Sequence, residues 1–158
     1  MNKSTCTIDK SGNKIWRNPK GEFHRIDGPA IECANGDKIW RNSKGERHRT
    51  DGPAIEYTDG GKWWYFNDKL HRTDGPAVEN ANGDKYWYVN GQRHRTDGPA
   101  VENADGDKYW YFNGKLHRTD GPAVVYANDT EEYWYKDKRI TKKEYYSKEF
   151  QIRMVMEL

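Results

Sequence analysis

Apolar residues in this chain come in short bursts, set between turn-forming and charged positions. One stretch shows the pattern: Ala77-Val78-Glu79-Asn80-Ala81-Asn82-Gly83-Asp84-Lys85-Tyr86-Trp87-Tyr88-Val89-Asn90-Gly91. Lys-Tyr-Trp-Tyr is rich in strand formers and too short for a helix, so the pattern predicts a strand between two turns. Asn82-Gly83 and Asn90-Gly91 are each predicted as a two-residue hairpin turn, because both residue types tolerate positive φ. Equivalent slots hold Asn35-Gly36, Asp59-Gly60, Asp105-Gly106 and Asn113-Gly114. The segment after the second turn, Gln92-Arg93-His94-Arg95, is expected to pair back on the strand. Alternation along that strand would place Tyr86 and Tyr88 on the face opposite Trp87.

The pattern recurs. His-Arg-x-Asp-Gly-Pro-Ala begins at His24, His48, His71, His94 and His117, at spacings of 24, 23, 23 and 23 residues. Tryptophan keeps nearly the same step at Trp16, Trp40, Trp64, Trp87, Trp110 and Trp134. Within Asp-Gly-Pro-Ala, proline removes an amide donor and keeps the preceding Gly out of the helical region, which predicts a bend that re-enters a strand at Ala. Each unit is too small to bury a core alone and must stack on its neighbours. The chain therefore reads as all-β: a tandem β-hairpin array, an elongated and twisted antiparallel meander. Residues 1–23 form a half repeat at the N-terminal end, 24–140 the five repeats, and 141–158 a C-terminal capping helix. For that helix, Thr141-Lys142-Lys143-Glu144 has the form of a capping box. Tyr145, Phe150, Ile152, Met154 and Val155 would supply its apolar face, over about four turns. A helix docked on the last sheet edge is its first reading, and a partner-binding helix the second.

Composition sharpens this picture. Charged residues make up 33% of the chain and the mean hydropathy is −1.26, values that would suggest disorder if aromatic residues were few. Seven Trp, eleven Tyr and four Phe reverse that inference. The formal charge of +2 is too small for a strong claim on nucleic acid or an anionic membrane. Two cysteines, Cys6 and Cys33, are too few for a disulfide framework, which favours a reducing cytosol. No apolar stretch has the length needed to span a bilayer, and Met1 to Cys6 lacks the apolar run of a signal peptide.

The candidate chemistry lies in the repeat. Five histidines invite a metal reading, but equivalent residues two strands apart lie about 10 Å from one another, too far for zinc bonds of about 2.0 Å. His24, His48, His71, His94 and His117 are therefore expected to be structural, as are Trp40, Trp64, Trp87, Trp110 and Trp134, and no metal or cofactor is implied. Arg25, Arg49, Arg72, Arg95 and Arg118 support two readings. Each precedes an Asp by two residues (Asp27, Asp51, Asp74, Asp97, Asp120), which suggests internal ion pairs. Arginine beside aromatic residues also suits phosphate or base recognition. Arg49, Arg72, Arg95 and Arg118, with Tyr86, Tyr88, Tyr109 and Tyr111, are thus the candidate binding residues. Departures from the repeat add Trp63, the Phe66-Asn67-Asp68 turn, and a C-terminal basic run of Lys136, Lys138, Arg139, Lys142 and Lys143. No nucleophile and base pair breaks the pattern, so a non-enzymatic protein is expected.

The His-Arg-Thr-Asp-Gly-Pro-Ala-Val-Glu and Lys-Tyr-Trp-Tyr-x-Asn-Gly-Lys elements resemble the short tandem repeats of uncharacterised bacteriophage and giant-virus proteins, over residues 14–140. A weaker similarity is to MORN-type hairpin repeats, whose glycine spacing is not reproduced here, so phospholipid binding does not carry over. The viral resemblance implies an accessory protein in the host cytosol that binds and inhibits a host protein, such as a defence component. A nucleotide or nucleic-acid binder using the Arg and aromatic ladder is the alternative, and a structural virion component a third.

Overall fold

The computed structural model describes residues 4–156. The first three residues of the expected N-terminal half repeat and the last two of the expected helix lie outside that range. Thirteen strands form one antiparallel sheet. Three two-stranded ladders stand beside it: Tyr65–Phe66 with Lys69–Leu70, Tyr88–Val89 with Gln92–Arg93, and Tyr111–Phe112 with Lys115–Leu116. The end strands of the large sheet, Thr5–Ile8 and Lys138–Ile140, do not pair with each other, so the sheet is open. The architecture is the expected all-β hairpin meander with a helical C-terminal segment.

One unit explains the rest. Val78–Glu79 pairs with Lys85–Tyr86, which pairs on its other side with Val101–Glu102. The next residue, Trp87, belongs to neither ladder. Its amide donates to the Ala100 carbonyl at 2.8 Å, and its carbonyl accepts from the His94 amide at 3.1 Å. Both backbone groups are thereby satisfied by different segments, which lets the chain turn a corner without an orphaned polar group. Lys-Tyr-Trp-Tyr is thus two strands joined at tryptophan rather than the single strand expected, and Tyr86 and Tyr88 lie in different ladders.

The turns also divide into two kinds. Asn90-Gly91 (φ 52° and 82°) and Asn113-Gly114 (48° and 79°) are two-residue turns with both residues left-handed, as the sequence predicts. At Asn82-Gly83 only Gly83 is left-handed, with φ 96°. Its amide bonds to Asn80 O, while the Asn80 amide bonds to Asp84 O. That loop is a type I turn closed by a glycine bulge, and Asn35-Gly36, Asp59-Gly60 and Asp105-Gly106 share the closure. The corner hairpins at Asn18 to Glu22 and Asn42 to Glu46 also use the bulged form. It is one residue longer, and this accounts for the single 24-residue spacing at the start of the array.

Beyond strand pairing, units are bonded to one another through both their loops. The Asp84 carboxylate accepts from the Ala104 amide in the next loop at 2.8 Å, and the Gly91 amide donates to Leu70 O in the preceding corner hairpin at 2.8 Å. Between these ties sits a thin core. The Ala of each Asp-Gly-Pro-Ala (Ala30, Ala54, Ala77, Ala100, Ala123) is fully buried, beside Ile55, Val78, Val101 and Val124. A larger side chain there would overpack the junction of rung and corner.

The last unit departs from the others. Glu131–Tyr135 runs without a corner and pairs Tyr133 with Ile140. The amide of Arg118 bonds to Trp134 O as that of Arg95 bonds to Tyr111 O. Trp134 therefore occupies the Tyr111 position, and buried Tyr133 takes the place of Trp110, so the tryptophan ladder ends one unit earlier than expected. Beyond it the expected single helix is two, α1 (Lys142–Tyr145) and α2 (Lys148–Met156). Thr141 caps the first through Glu144 N, and Ser147 restarts the second by accepting from Phe150 N at 3.2 Å. Tyr145, Phe150 and Met154 pack on Tyr133, Tyr135 and Ile140, whereas Ile152 and Val155 are exposed. The break rotates α2 relative to a continuous helix, which turns those two residues out. Among the described residues, no helix is long and apolar enough to cross a membrane.

Candidate functional site: a row of notches along the repeat

Each arginine of the His-Arg motif folds back on its own unit. The Arg72 guanidinium lies 4.0 Å from the centre of the Trp64 ring. Its Nε donates to Asp74 at 2.9 Å, and Nη1 donates to Glu79 at 2.9 Å and to Pro76 O at 3.2 Å. Arg49 on Trp40 and Arg95 on Trp87 repeat this set, with Glu56 and Glu102 as the second acids. Arg25 stacks on Trp16 between Asp27 and Glu32. Arg118 stacks on Trp110 and reaches Asp120 at 2.7 Å, but Val125 stands where the second acid would be. The guanidinium beside each aspartate holds the carboxyls of Asp27, Asp51, Asp74, Asp97 and Asp120 below their ordinary range. The recurrent glutamate seven residues after the arginine is legible in the sequence as a period, although only the nearer aspartate stands out there.

The histidines tie one unit to the next. Nδ1 of His71, His94 and His117 accepts the amide of Asn90, Asn113 and Lys136, each the first residue of the following corner turn, at 3.1 to 3.2 Å. Nδ1 of His24 lies 3.1 Å from Arg41 O, and that of His48 lies 2.8 Å from Asn67 Oδ1. An accepting Nδ1 leaves the proton on Nε2. Burial, then the charge of Lys136, pushes His117 below the ordinary histidine value. The imidazoles also interleave with the corner hairpins: His48 and Phe66 centroids are 4.5 Å apart, His94 and Phe112 4.8 Å, and His117 and Tyr135 4.8 Å. Phe66 and Phe112 remain 47% and 45% exposed whereas Tyr135 is buried, so the stripe faces outward at Phe66 and Phe112 and is covered at its C-terminal end. Among the described residues, no group of three or more His, Cys, Asp or Glu is placed to hold a metal ion.

Arginine stacks and aromatic stripe together form three successive notches of about 540, 470 and 650 Å³. The first lies between the Arg49-Thr50-Asp51 and Arg72-Thr73-Asp74 loops, over Trp64, Phe66 and His71. The second lies over Trp87, Val89 and His94, and the third over Trp110, Phe112 and His117. Thus Arg49, Arg72, Arg95 and Arg118 line three adjoining notches, each sharing an arginine loop with the next.

The candidate tyrosines do not form one row. Tyr86 donates to Asp84 and Tyr109 to Asp107 in the rung loops, and burial followed by the Asp107 bond pushes the Tyr109 phenol up to about 12. Tyr88 and Tyr111 sit in the corner hairpins, where Arg93 donates to both hydroxyls. Sequence reasoning missed Arg93, since it lies outside the His-Arg motif. Trp63 donates through Nε1 to Asn80 at 3.2 Å and packs edge-on against Tyr57. In the C-terminal basic run, Arg139 pairs with Glu132 at 2.9 Å and Lys142 with Glu131 at 3.0 Å. Lys136 extends over the Tyr135 ring, and Lys138 and Lys143 are exposed. A cavity of about 640 Å³ beside that run mixes Asp129, Glu131, Glu132 and Glu144 with Arg139 and Lys142, basic residues of the run that are both paired with acids. No protein-family model matches the chain, and no curated protein matches it significantly.

Proposed function

We propose that this chain is a non-enzymatic binding protein that presents the notched stripe to a partner protein. The observation that carries the reading is the outward-facing aromatic row built on arginines already committed to carboxylates and tryptophan. A partner meets rigid rings and exposed loop residues, with little side-chain ordering left to do. Aromatic groups in shallow recesses are the residues that dominate protein interfaces. The sequence resemblance extends the proposal to a viral accessory protein acting on a host factor such as a defence component, in the cytosol of the host. The test is capture of tagged wild-type protein and the Phe66→Ala/Phe112→Ala double variant from bacterial lysate, with mass spectrometry of bound proteins and of nucleotides released on heating. One stoichiometric host protein retained by the wild type and lost from the double variant is the expected result. A released nucleotide with no protein partner would replace this reading by the nucleotide-binding one, and capture indifferent to both phenylalanines would remove the stripe from it.

A further inference from the structure

The chemistry and spacing of the notches narrow the kind of partner. Arginine and aspartate alternate along the rim, yet they present different charges to water. The side chains of Arg49, Arg72, Arg95 and Arg118 are 20 to 22% exposed, whereas those of Asp51, Asp74, Asp97 and Asp120 are 79 to 81% exposed. The positive charge is folded onto tryptophan and the negative charge faces solvent. Each of these carboxylates accepts from its arginine through Oδ1. Within the corner hairpins, Lys69 and Lys115 are the strand partners of Phe66 and Phe112. A ligand with a basic group every step therefore has one preferred side, against the aspartates.

Spacing sets the backbone form. A unit contributes two strands to the sheet, so the notches repeat about every 10 Å. An extended strand alternates its side chains about every 7 Å and falls out of step with that repeat. A polyproline-II helix rises about 3.1 Å per residue with three residues per turn, or about 9 Å, and stays in step. It has no internal hydrogen bonds and so can follow the sheet twist of about 45° per two strands. Flat aromatic recesses are also the surfaces on which such helices dock.

We infer that the notched stripe is a docking track for a polyproline-II segment of the partner carrying a basic residue at every third position. The inference rests on the binding reading above and names the partner's chemistry. Three notches accommodate about nine residues, with the prolines on Phe66, Val89 and Phe112 and the basic groups on the aspartate rim.

The test is fluorescence anisotropy of a labelled (Pro-Pro-Arg)4 peptide against the full chain, beside (Pro-Pro-Glu)4 and (Gly-Ser-Arg)4. The expected result is binding of the first alone, weakened at least about tenfold by Phe66→Ala/Phe112→Ala and by Asp74→Asn/Asp97→Asn. Should those variants unfold, Thr73→Arg/Thr96→Arg places like charge at exposed rim positions and should weaken binding equally without touching the core. Equal binding of (Gly-Ser-Arg)4, preference for (Pro-Pro-Glu)4, or no binding of (Pro-Pro-Arg)4 overturns the inference. If the peptides fail while host-protein capture still requires Phe66 and Phe112, the stripe binds a protein of another backbone form and only this inference falls. If capture also ignores both residues, the binding reading falls with it.

Discussion

Gly75 is not in the left-handed region, so its place in Asp-Gly-Pro-Ala is explained by space rather than by φ. A Cβ there would sit 2.9 Å from Cζ of Arg72, and Gly98 stands in the same relation to Arg95. The guanidinium is held between the Trp64 ring and the glycine backbone, and three hydrogen bonds keep it from stepping aside. Gly75→Ala should therefore cost about 1 to 3 kcal/mol through loss of the stack and at least one charge-assisted bond, read from the urea midpoint. Thr73→Val, two residues away and exposed, should stay within about 0.5 kcal/mol. His117 makes stability depend on pH. Its folded value lies below its unfolded one, so the unfolded chain takes up the proton first. Its contribution is complete above pH about 6.5 and is lost as pH falls below that. His117→Gln keeps a side-chain acceptor without titrating, and urea unfolding at pH 8 and pH 5.5 should show a smaller acid loss than in the wild type.

At the scale of the element, the corner hairpins decide how units join. Asn67-Asp68 and Lys136-Asp137 turn with both residues at positive φ and no glycine. Asp68 accepts from Arg47 through its backbone amide at 3.1 Å and its Nε at 2.6 Å, and Asp137 accepts from the Leu116 amide at 2.7 Å. Each aspartate thus bonds across to the preceding corner. Asp68→Gly would relieve a left-handed strain of about 1 to 2 kcal/mol, but it would also loosen the unfolded chain by about 0.4 to 1 kcal/mol and remove a charge-assisted pair worth about 1.5 to 3 kcal/mol. The two losses together outweigh relief of the strain, and thermal unfolding should show net destabilisation. These ties also mark what the sequence reveals at this scale. The period, the turns at Asn90-Gly91 and Asn113-Gly114, and the Thr141 cap are legible because they depend on near neighbours. The corner at Trp87 is not, because it depends on Ala100, 13 positions away. Nor is the shift of Trp134: Val124 pairs with Glu132 as Val101 pairs with Tyr109, so the register is unchanged and the tryptophan alone stands one position later. The arginine pairs with Asp51, Asp74, Asp97 and Asp120 are readable at two-residue spacing, whereas the stripe of Phe66 and Phe112 emerges only when histidines of adjacent units are brought beside them.

Across the whole molecule, stability should be a sum of units and their junctions rather than the property of one core. The buried residues fall into separate clusters, one around Ala54, Ile55 and Tyr65 and another around Tyr133, Tyr135 and Ile140 under the terminal helices. Truncation after Ile140 removes Tyr145, Phe150 and Met154, each no more than 3% exposed. At about 1.5 to 3 kcal/mol for each large apolar side chain, the last hairpin would lose roughly 5 to 9 kcal/mol of cover. If the array is quasi-one-dimensional, that loss stays local. Hydrogen exchange should then show the amides of Glu131–Tyr135 and Lys138–Ile140 deprotected, with those of Val78–Glu79 and Lys85–Tyr86 close to wild type. The exposed Tyr133, Tyr135 and Ile140 would at the same time promote edge-to-edge association, seen as concentration-dependent light scattering. Uniform deprotection through the chain would mean instead that the thirteen strands unfold as one cooperative body, and that the junctions outweigh the units they join.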